Sequence, residues 1–551
     1  MKTTITTILA LVFAMAIQAQ GDMKEMWSTK LDHQIDFYGC DNEGSVGYGY
    51  ASDGKMLSMY DNESGKVLWV KKIKEIAPRL RKADAFTAVW EADALFILDL
   101  KTGSEQVAVI DMKTGESFWF SDQYKLKNGE MVTYIQEENG FLFTFKDRNV
   151  FVDALTGAEK WSTSKFQGKV GNYYYADGFL TTVNFIPNEF IALFSGFKNQ
   201  IAKINMKTGE IVWENTYIGR ADRKTITREF LYSITVVDNQ VVLSLNGLQI
   251  YDYKTGANLW SAAFEYDPPV KQPMNASRFG VYGAIPDPVL TENHVYVLDM
   301  SGKRNQYINK YERKTGKLVW KSQEIAGGAR AVPNMYVVDN KIILQIGGNV
   351  ECQGLFKERS GVGADEVITY VKRVYQENIK PNGVQAYSDE DRRMIWDSER
   401  FKKGITNMFL HGDDQLIVCS GKALYNMNIH TGDVNYEEDV KNGGVGNAVS
   451  ILPYKETIVV VGEKGVSTFN IADGKLIAAN KYKPASIADY FESMLVLETP
   501  TSDIAVFDVA DNCKYLKYNA RKGSSNELTT DGKSVYVYEK KSISRLFTLS
   551  D

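Results

Sequence analysis

Short apolar runs alternate with polar turns along almost the whole chain, and within each run the apolar positions recur every second residue. The stretch 230–261 shows the pattern well. Phe230-Leu-Tyr-Ser-Ile-Thr-Val-Val237 breaks at Asp238-Asn239, Gln240-Val-Val-Leu-Ser-Leu245 at Asn246-Gly247, and Leu248-Gln-Ile-Tyr-Asp252 at Lys254-Thr255-Gly256, before Ala257-Asn-Leu-Trp260-Ser261. Period two with turns of this chemistry predicts antiparallel hairpins in series, four strands to a unit.

The last turn of that unit recurs. Asp61-Asn-Glu-Ser64-Gly65-Lys-Val-Leu-Trp69 returns as Asp111-Met-Lys-Thr114-Gly115-Glu-Ser-Phe-Trp119 and as Asp153-Ala-Leu-Thr156-Gly157-Ala-Glu-Lys-Trp161, and further copies end in Trp213, Trp260 and Trp320. Degenerate copies lead to Trp396, Tyr436, Ala478 and Leu516, the first with Arg392 in place of the Gly. Of nine Trp, seven hold the last position of this unit, Trp27 opens a similar strand with no turn before it, and only Trp90 is left over. The ten Gly-equivalent positions are spaced by 50, 42, 52, 47, 60, 76, 40, 42 and 38 residues. A spacing that settles near 40 predicts four-stranded propeller blades.

The parts of the turn have assignable tasks. Asp or Asn and the Ser or Thr hydroxyl can bond backbone groups across the turn, while Gly65, Gly115, Gly157, Gly209, Gly256, Gly316, Gly432 and Gly474 supply positive φ. Trp27, Trp69, Trp119, Trp161, Trp213, Trp260, Trp320 and Trp396 are large enough to cover one blade and lean on the next, so they are expected to dock blades. The C-terminal runs 534–539 and 542–550 lack a following motif, and residues 23–31 supply the missing outer strand. The predicted fold is thus all-β: a propeller of about eleven four-stranded antiparallel blade units over 23–551, closed by the N-terminal strand, in one large ring or two.

The N-terminus and the composition add context. Lys2, the apolar run 8–17 and small residues Ala16 and Ala19 are expected to form a signal peptide over 1–19. The first Cys is Cys40, so no lipoprotein anchor is expected at the cleavage site, and the reading is an exported chain, periplasmic or extracellular. No apolar stretch after residue 19 reaches membrane-spanning length. A net charge of −5 argues against nucleic acid as a partner. Cys40, Cys352, Cys419 and Cys513 are scattered, and their spacing leaves disulfides and buried free thiols both open.

The pattern Asp/Asn-x-x-Thr-Gly-x-x-x-Trp with its flanking strands resembles the PQQ-like β-propeller repeat family, over nearly all of the chain after residue 19. That resemblance implies either a quinoprotein dehydrogenase, holding pyrroloquinoline quinone and calcium, or a non-enzymatic exported propeller of the BamB kind. The quinoproteins' vicinal Cys pair is missing, as is a Cys-x-x-Cys-His haem site, so no cofactor is expected.

Other chemistry is sparse. His33, His294, His411 and His430 have no metal-ligand spacing, and no GxSxG elbow or P-loop occurs. Gly443-Gly444-Val-Gly446 reads as an inter-blade turn, and the acidic clusters 41–44 and 388–391 as solvated turn carboxylates. Two segments interrupt the repeat: an irregular connection over 266–282, and an insertion over 350–382 whose alternation at Val367, Thr369 and Val371 fits an extended hairpin. The expected function is a binding or scaffold surface for a protein or polysaccharide of the cell envelope, with a quinone-dependent dehydrogenase or a carbohydrate-active enzyme as the alternatives.

Overall fold

The computed structural model describes residues 20–41, 46–100, 106–126, 131–145, 147–166, 169–185, 199–218, 233–244, 247–263, 270–271, 273–300, 306–327, 330–360, 367–398 and 401–548. The expected signal peptide, 1–19, lies outside them. Among the described residues the strands form eleven sheets, nine of four strands and two of five, antiparallel throughout except for one short parallel edge strand. Each is a propeller blade, so the chain is an all-β propeller. In chain order, blades 1 to 10 occupy residues 37–72, 85–121, 131–163, 169–216, 233–263, 289–321, 335–397, 405–439, 448–481 and 486–518. Blade 11 combines 525–547 with the N-terminal strand Glu25–Lys30.

The inner strands explain why the sequence reads as it does. Ala94–Asp99 is buried at every position, and Gln106–Asp111 at all but its ends. Strands covered on both faces need near-continuous apolar runs. The outermost strand of a blade has one face free, so Val67–Lys72 alternates strictly between half-buried and exposed. Turn residues set the boundaries: Asp238 and Asn239 both adopt positive φ (50° and 61°) between Ser233–Val237 and Gln240–Ser244. Asn tolerates that conformation better than most side chains.

The blades fall into two compact units. One takes in the chain to residue 125, a turn at 154–157, and 438 to the end; the other comprises 126–153 and 158–437. Closure belongs to the first. Glu25–Lys30 pairs antiparallel with Ser542–Phe547, with Trp27 across from Arg545 and Lys30 across from Ser542. Just before it, Gln20–Asp22 runs parallel to Lys514–Tyr518 and adds a fifth strand to blade 10. Met23 between them is buried among Met494, Val496, Leu528 and Leu546. No helix among the described residues is long and apolar enough to cross a membrane.

One expectation changes. The connection 266–282 is irregular only in part, because Ala276–Tyr282 is a strand. Its partner lies some seventy residues further on, so local turn chemistry could not reveal it. The insertion 350–382 is a lengthening of two blade strands, Lys341–Ser360 and Val367–Ser388.

Deleting residues 23–31 removes the outer strand of blade 11 together with Trp27. The expected cost is roughly 3 kcal/mol or more, read as a lower denaturant midpoint. An unchanged midpoint would refute closure by this strand.

Candidate functional site

The repeated turn is the most recurrent chemistry in the chain, and its geometry shows what it does. Asp61 accepts hydrogen bonds from the Ser64 backbone N–H (2.7 Å) and hydroxyl (2.6 Å), while the Gly65 N–H donates to the Asp61 carbonyl at 2.9 Å. Asp252 and Thr255 repeat this at 2.7 and 2.9 Å. These bonds hold both carboxyls below the usual carboxylate range: the Ser64 hydroxyl does most at Asp61, and the Thr255 N–H most at Asp252. The eight turn glycines all lie at φ between 66° and 78°.

Positive φ is one reason for Gly, and a neighbouring indole is the other. A Cβ on Gly65 would fall 2.4 Å from the Trp27 ring, on Gly209 2.6 Å from Trp161, on Gly256 2.3 Å from Trp213, and on Gly316 2.1 Å from Trp260. Gly157 meets Trp119 at 2.5 Å and Gly432 meets Trp396 at 2.7 Å, while Gly115 is looser against Trp69 at 3.1 Å. Each indole N–H also donates to the carbonyl three residues before that Gly. The acceptors are Asn62 for Trp27 (3.1 Å), Met112 for Trp69 (2.9 Å), Ala154 for Trp119 (2.8 Å) and Met206 for Trp161 (2.7 Å). They continue as Tyr253 for Trp213 (3.0 Å), Arg313 for Trp260 (2.9 Å) and Ile429 for Trp396 (2.9 Å). In seven instances, then, a Trp from one outer strand caps the turn of the next blade in the series. The motif is consumed in joints.

Trp320 is the exception. It is buried and meets Tyr296 edge-on at 6.4 Å, yet its Nε1 has no hydrogen-bond partner. The turn it should cap carries Arg392 at φ 65°, with a Cβ where the eight turn glycines have none. The replacement contact is ionic. Lys310 Nζ reaches Asp389 Oδ2 at 2.5 Å, both side chains nearly buried (10% and 14% exposed). Asp389 is thus a paired core carboxylate where the sequence suggested a solvated one. Burial of Asp389 depends on strands from two blades, which the local acidic run could not indicate.

The remaining sequence candidates are structural or dispersed. Trp90 packs on Tyr48 and Tyr50. Gly443 ends a short 3-10 turn between blades 8 and 9. His430 lies 3.4 Å from Asp339 at the surface. Asp41 is buried and accepts from the Val46 and Gly47 N–H groups; residues 42–45 of its acidic run lie outside the described residues. The four cysteines are buried in different blades, and none forms a disulfide with another. Burial pushes the Cys419 thiol up to about 12 and Cys513 to about 11, which keeps them protonated and unreactive. A polar cleft of about 500 Å³ opens in the first unit between Asp36, Tyr38, Arg521, Ser524, Glu539 and Lys540. It mixes both charges and selects neither.

Among the described residues, the blade that departs most from the repeat is blade 7, whose turn carries Arg392. Its two central strands run 20 and 22 residues and continue past the blade as a ribbon. Pairing is unbroken from Gly348 and Ile379 out to Ser360 and Val367. Ala276–Tyr282 lies along the outgoing strand, with Val281 across from Cys352 and Phe279 across from Gly354. One face of this arm is seated: Val350, Cys352 and Phe356 are buried, and Cys352, Val281 and Tyr375 join the apolar cluster of blades 6 and 7. The other face is open, with Val374 52% exposed. A rigidly seated ribbon with a free face is a surface for recognition. Sequence showed the interruption but missed the donated strand.

Residues 19–215 and 197–352 match the family described as outer membrane protein assembly factor BamB. Solved structures similar to this chain include the computationally designed Ika8 protein (12% identity, 71% of this chain and 100% of that one, TM-score 0.35). BamB from Moraxella catarrhalis (12%, 82% and 98%, TM-score 0.30) and the C-terminal WD40 domain of Sif2 (9%, 76% and 97%, TM-score 0.36) are others. No curated protein sequence matches the chain.

Replacing Arg392 by Gly should stabilise the protein by about 1 kcal/mol, since it removes a side chain from left-handed backbone. Denaturant unfolding reads the change. A lower midpoint would mean that the Arg392 side chain contributes more than the strain it carries.

Proposed function

The chain belongs to the PQQ-like propeller family described as outer membrane protein assembly factor BamB, and on that premise we propose that it is an exported, non-catalytic scaffold that binds a partner of the cell envelope. A protein is the preferred partner, ahead of a polysaccharide, because the family description is that of a protein-assembly factor. The observation that carries the reading is the division of labour within the fold. The recurrent Asp, Thr, Gly and Trp residues are occupied in joints, and the chain's departure from the repeat is a long, seated ribbon with an open face. Rigid blades holding a protruding element suit recognition.

The experiment is crosslinking capture from the cell envelope with the full chain and with a variant whose residues 350–377 are replaced by Asn-Gly, a two-residue hairpin turn. A partner protein should be captured by the full chain and at least tenfold less by the shortened one. A milder variant, Val374→Glu, guards against misfolding, since Val374 is exposed. Equal capture by all three would overturn the role of the arm.

The reading also holds that the chain works without pyrroloquinoline quinone or calcium. Purified protein incubated with both and desalted should retain no quinone absorbance and show no dye-linked dehydrogenase activity; retention with activity would favour the oxidoreductase.

A further inference from the structure

The ribbon of blade 7 has two edges, and the fold treats them differently. The outgoing edge is covered: Ala276–Tyr282 crosses from the segment before blade 6 and pairs with it from Glu351 to Phe356. The returning edge is not. Met394–Asp397 pairs with Val367–Ser388 only at Gln385, Ala386 and Tyr387, and among the described residues no strand pairs with that edge from Val367 to Ile379. Thirteen residues of edge span roughly 40 Å. Outermost blade strands also have free edges, but they are only four to six residues long.

An uncovered edge presents a row of backbone N–H and C=O groups, and proteins usually blunt one with charged side chains, Pro, bulges or a covering segment. Along 367–379 charge is the one such device, at Lys372, Arg373 and Glu377: the stretch has no Pro, and its pairing with Gly348–Ser360 shows no register shift. Toward the blade the edge ends at Asn378, whose side chain bonds Asn349 and Asn382 and fills the space beside Gly404. Before it, Val371 and Val374 are 38% and 52% exposed, and Arg373, Gln376 and Glu377 are exposed. Arg373 lies over the Phe356 ring at 5.3 Å, which holds the guanidinium against the ribbon.

We propose that residues 371–377 accept an extended segment of a partner protein as an added strand, with an acidic residue across from Arg373 and an apolar residue beside Val374. Only an extended chain matches a row of alternating backbone donors and acceptors. Arg373 sets the charge of the residue opposite, and the open-face Val374 sets the polarity of the next one. The opposite edge already takes such a strand from this chain, so the ribbon geometry is suited to it. A second copy is the poorer occupant. Pairing 371–377 with itself sets Val371 against Glu377, and one seven-residue strand from each chain falls short of the about 1,000 Å² of a stable interface. The inference rests on the arm being the contact element of the proposed scaffold.

The test pans a random dodecapeptide library on the full mature chain, measures selected peptides by fluorescence anisotropy, and tracks amide exchange over 371–379. Expected are Pro-free peptides alternating acidic and apolar residues, slowed exchange at 371–377, and affinity about tenfold weaker with Arg373→Glu. Peptides that leave these amides unprotected, the absence of any enriched peptide, or a dimer that Arg373→Glu dissociates would each overturn it. If envelope capture needs the arm while the edge stays unprotected, the scaffold reading survives and this inference alone fails.

Discussion

The structure depends on a small joint: an indole lying on a left-handed turn. Its two components reinforce each other. The turn needs positive φ, which favours Gly, and the absence of a Cβ lets the ring approach to where its N–H reaches the carbonyl three residues earlier. A Cβ would block the ring, and without the ring the carbonyl would lose its donor. Asp, Ser and Thr side chains hold the turn in shape from beneath. Repeated along the chain, one local solution serves many blades, and this is why the motif tolerates blades of unequal length between its copies.

In blade 7 the joint is lost, and other contacts take its place. Arg392 keeps the left-handed backbone but supplies the Cβ, and the Trp320 N–H is left without an acceptor. A nearly buried Lys310–Asp389 pair and a broad apolar cluster running from Tyr296 through Ile346 to Cys352 hold the region together. Buried ion pairs are weak stabilisers because both charges must be desolvated, so the apolar packing is the main adhesive here. The same blade extends its central strands and receives a strand from the segment preceding blade 6. The repeat is relaxed where the fold builds its most individual surface.

The termini present a related contrast. The first two described strands complete blade 11 and widen blade 10, and they are held by sheet pairing and by the Trp27 joint. The buried thiols add no covalent tie. Cys40 donates to the Glu527 carboxylate at 3.1 Å beneath Tyr538, and burial with that carboxylate nearby pushes its thiol well above the usual range. Stability in this unit comes from packing and backbone pairing.

What the sequence determined by itself was everything set by neighbours along the chain. Strand alternation, turn chemistry, the Asp-Thr-Gly-Trp spacing and the unpaired strand at Trp27 were enough for an all-β propeller of eleven blades with its N-terminal strand in the last, because hairpins and their turns are local. The residues that act across blades were only half legible. The Trp and Gly positions stood out by recurrence, but the failure of the joint at Trp320, the pairing of Asp389 with Lys310 and the strand at Ala276–Tyr282 did not. Each joins residues some seventy to eighty positions apart, and no local periodicity encodes such a meeting. Tertiary structure alone decided which edge of the blade 7 ribbon is covered and which, among the described residues, is open, because edge pairing is a property of the assembled sheet.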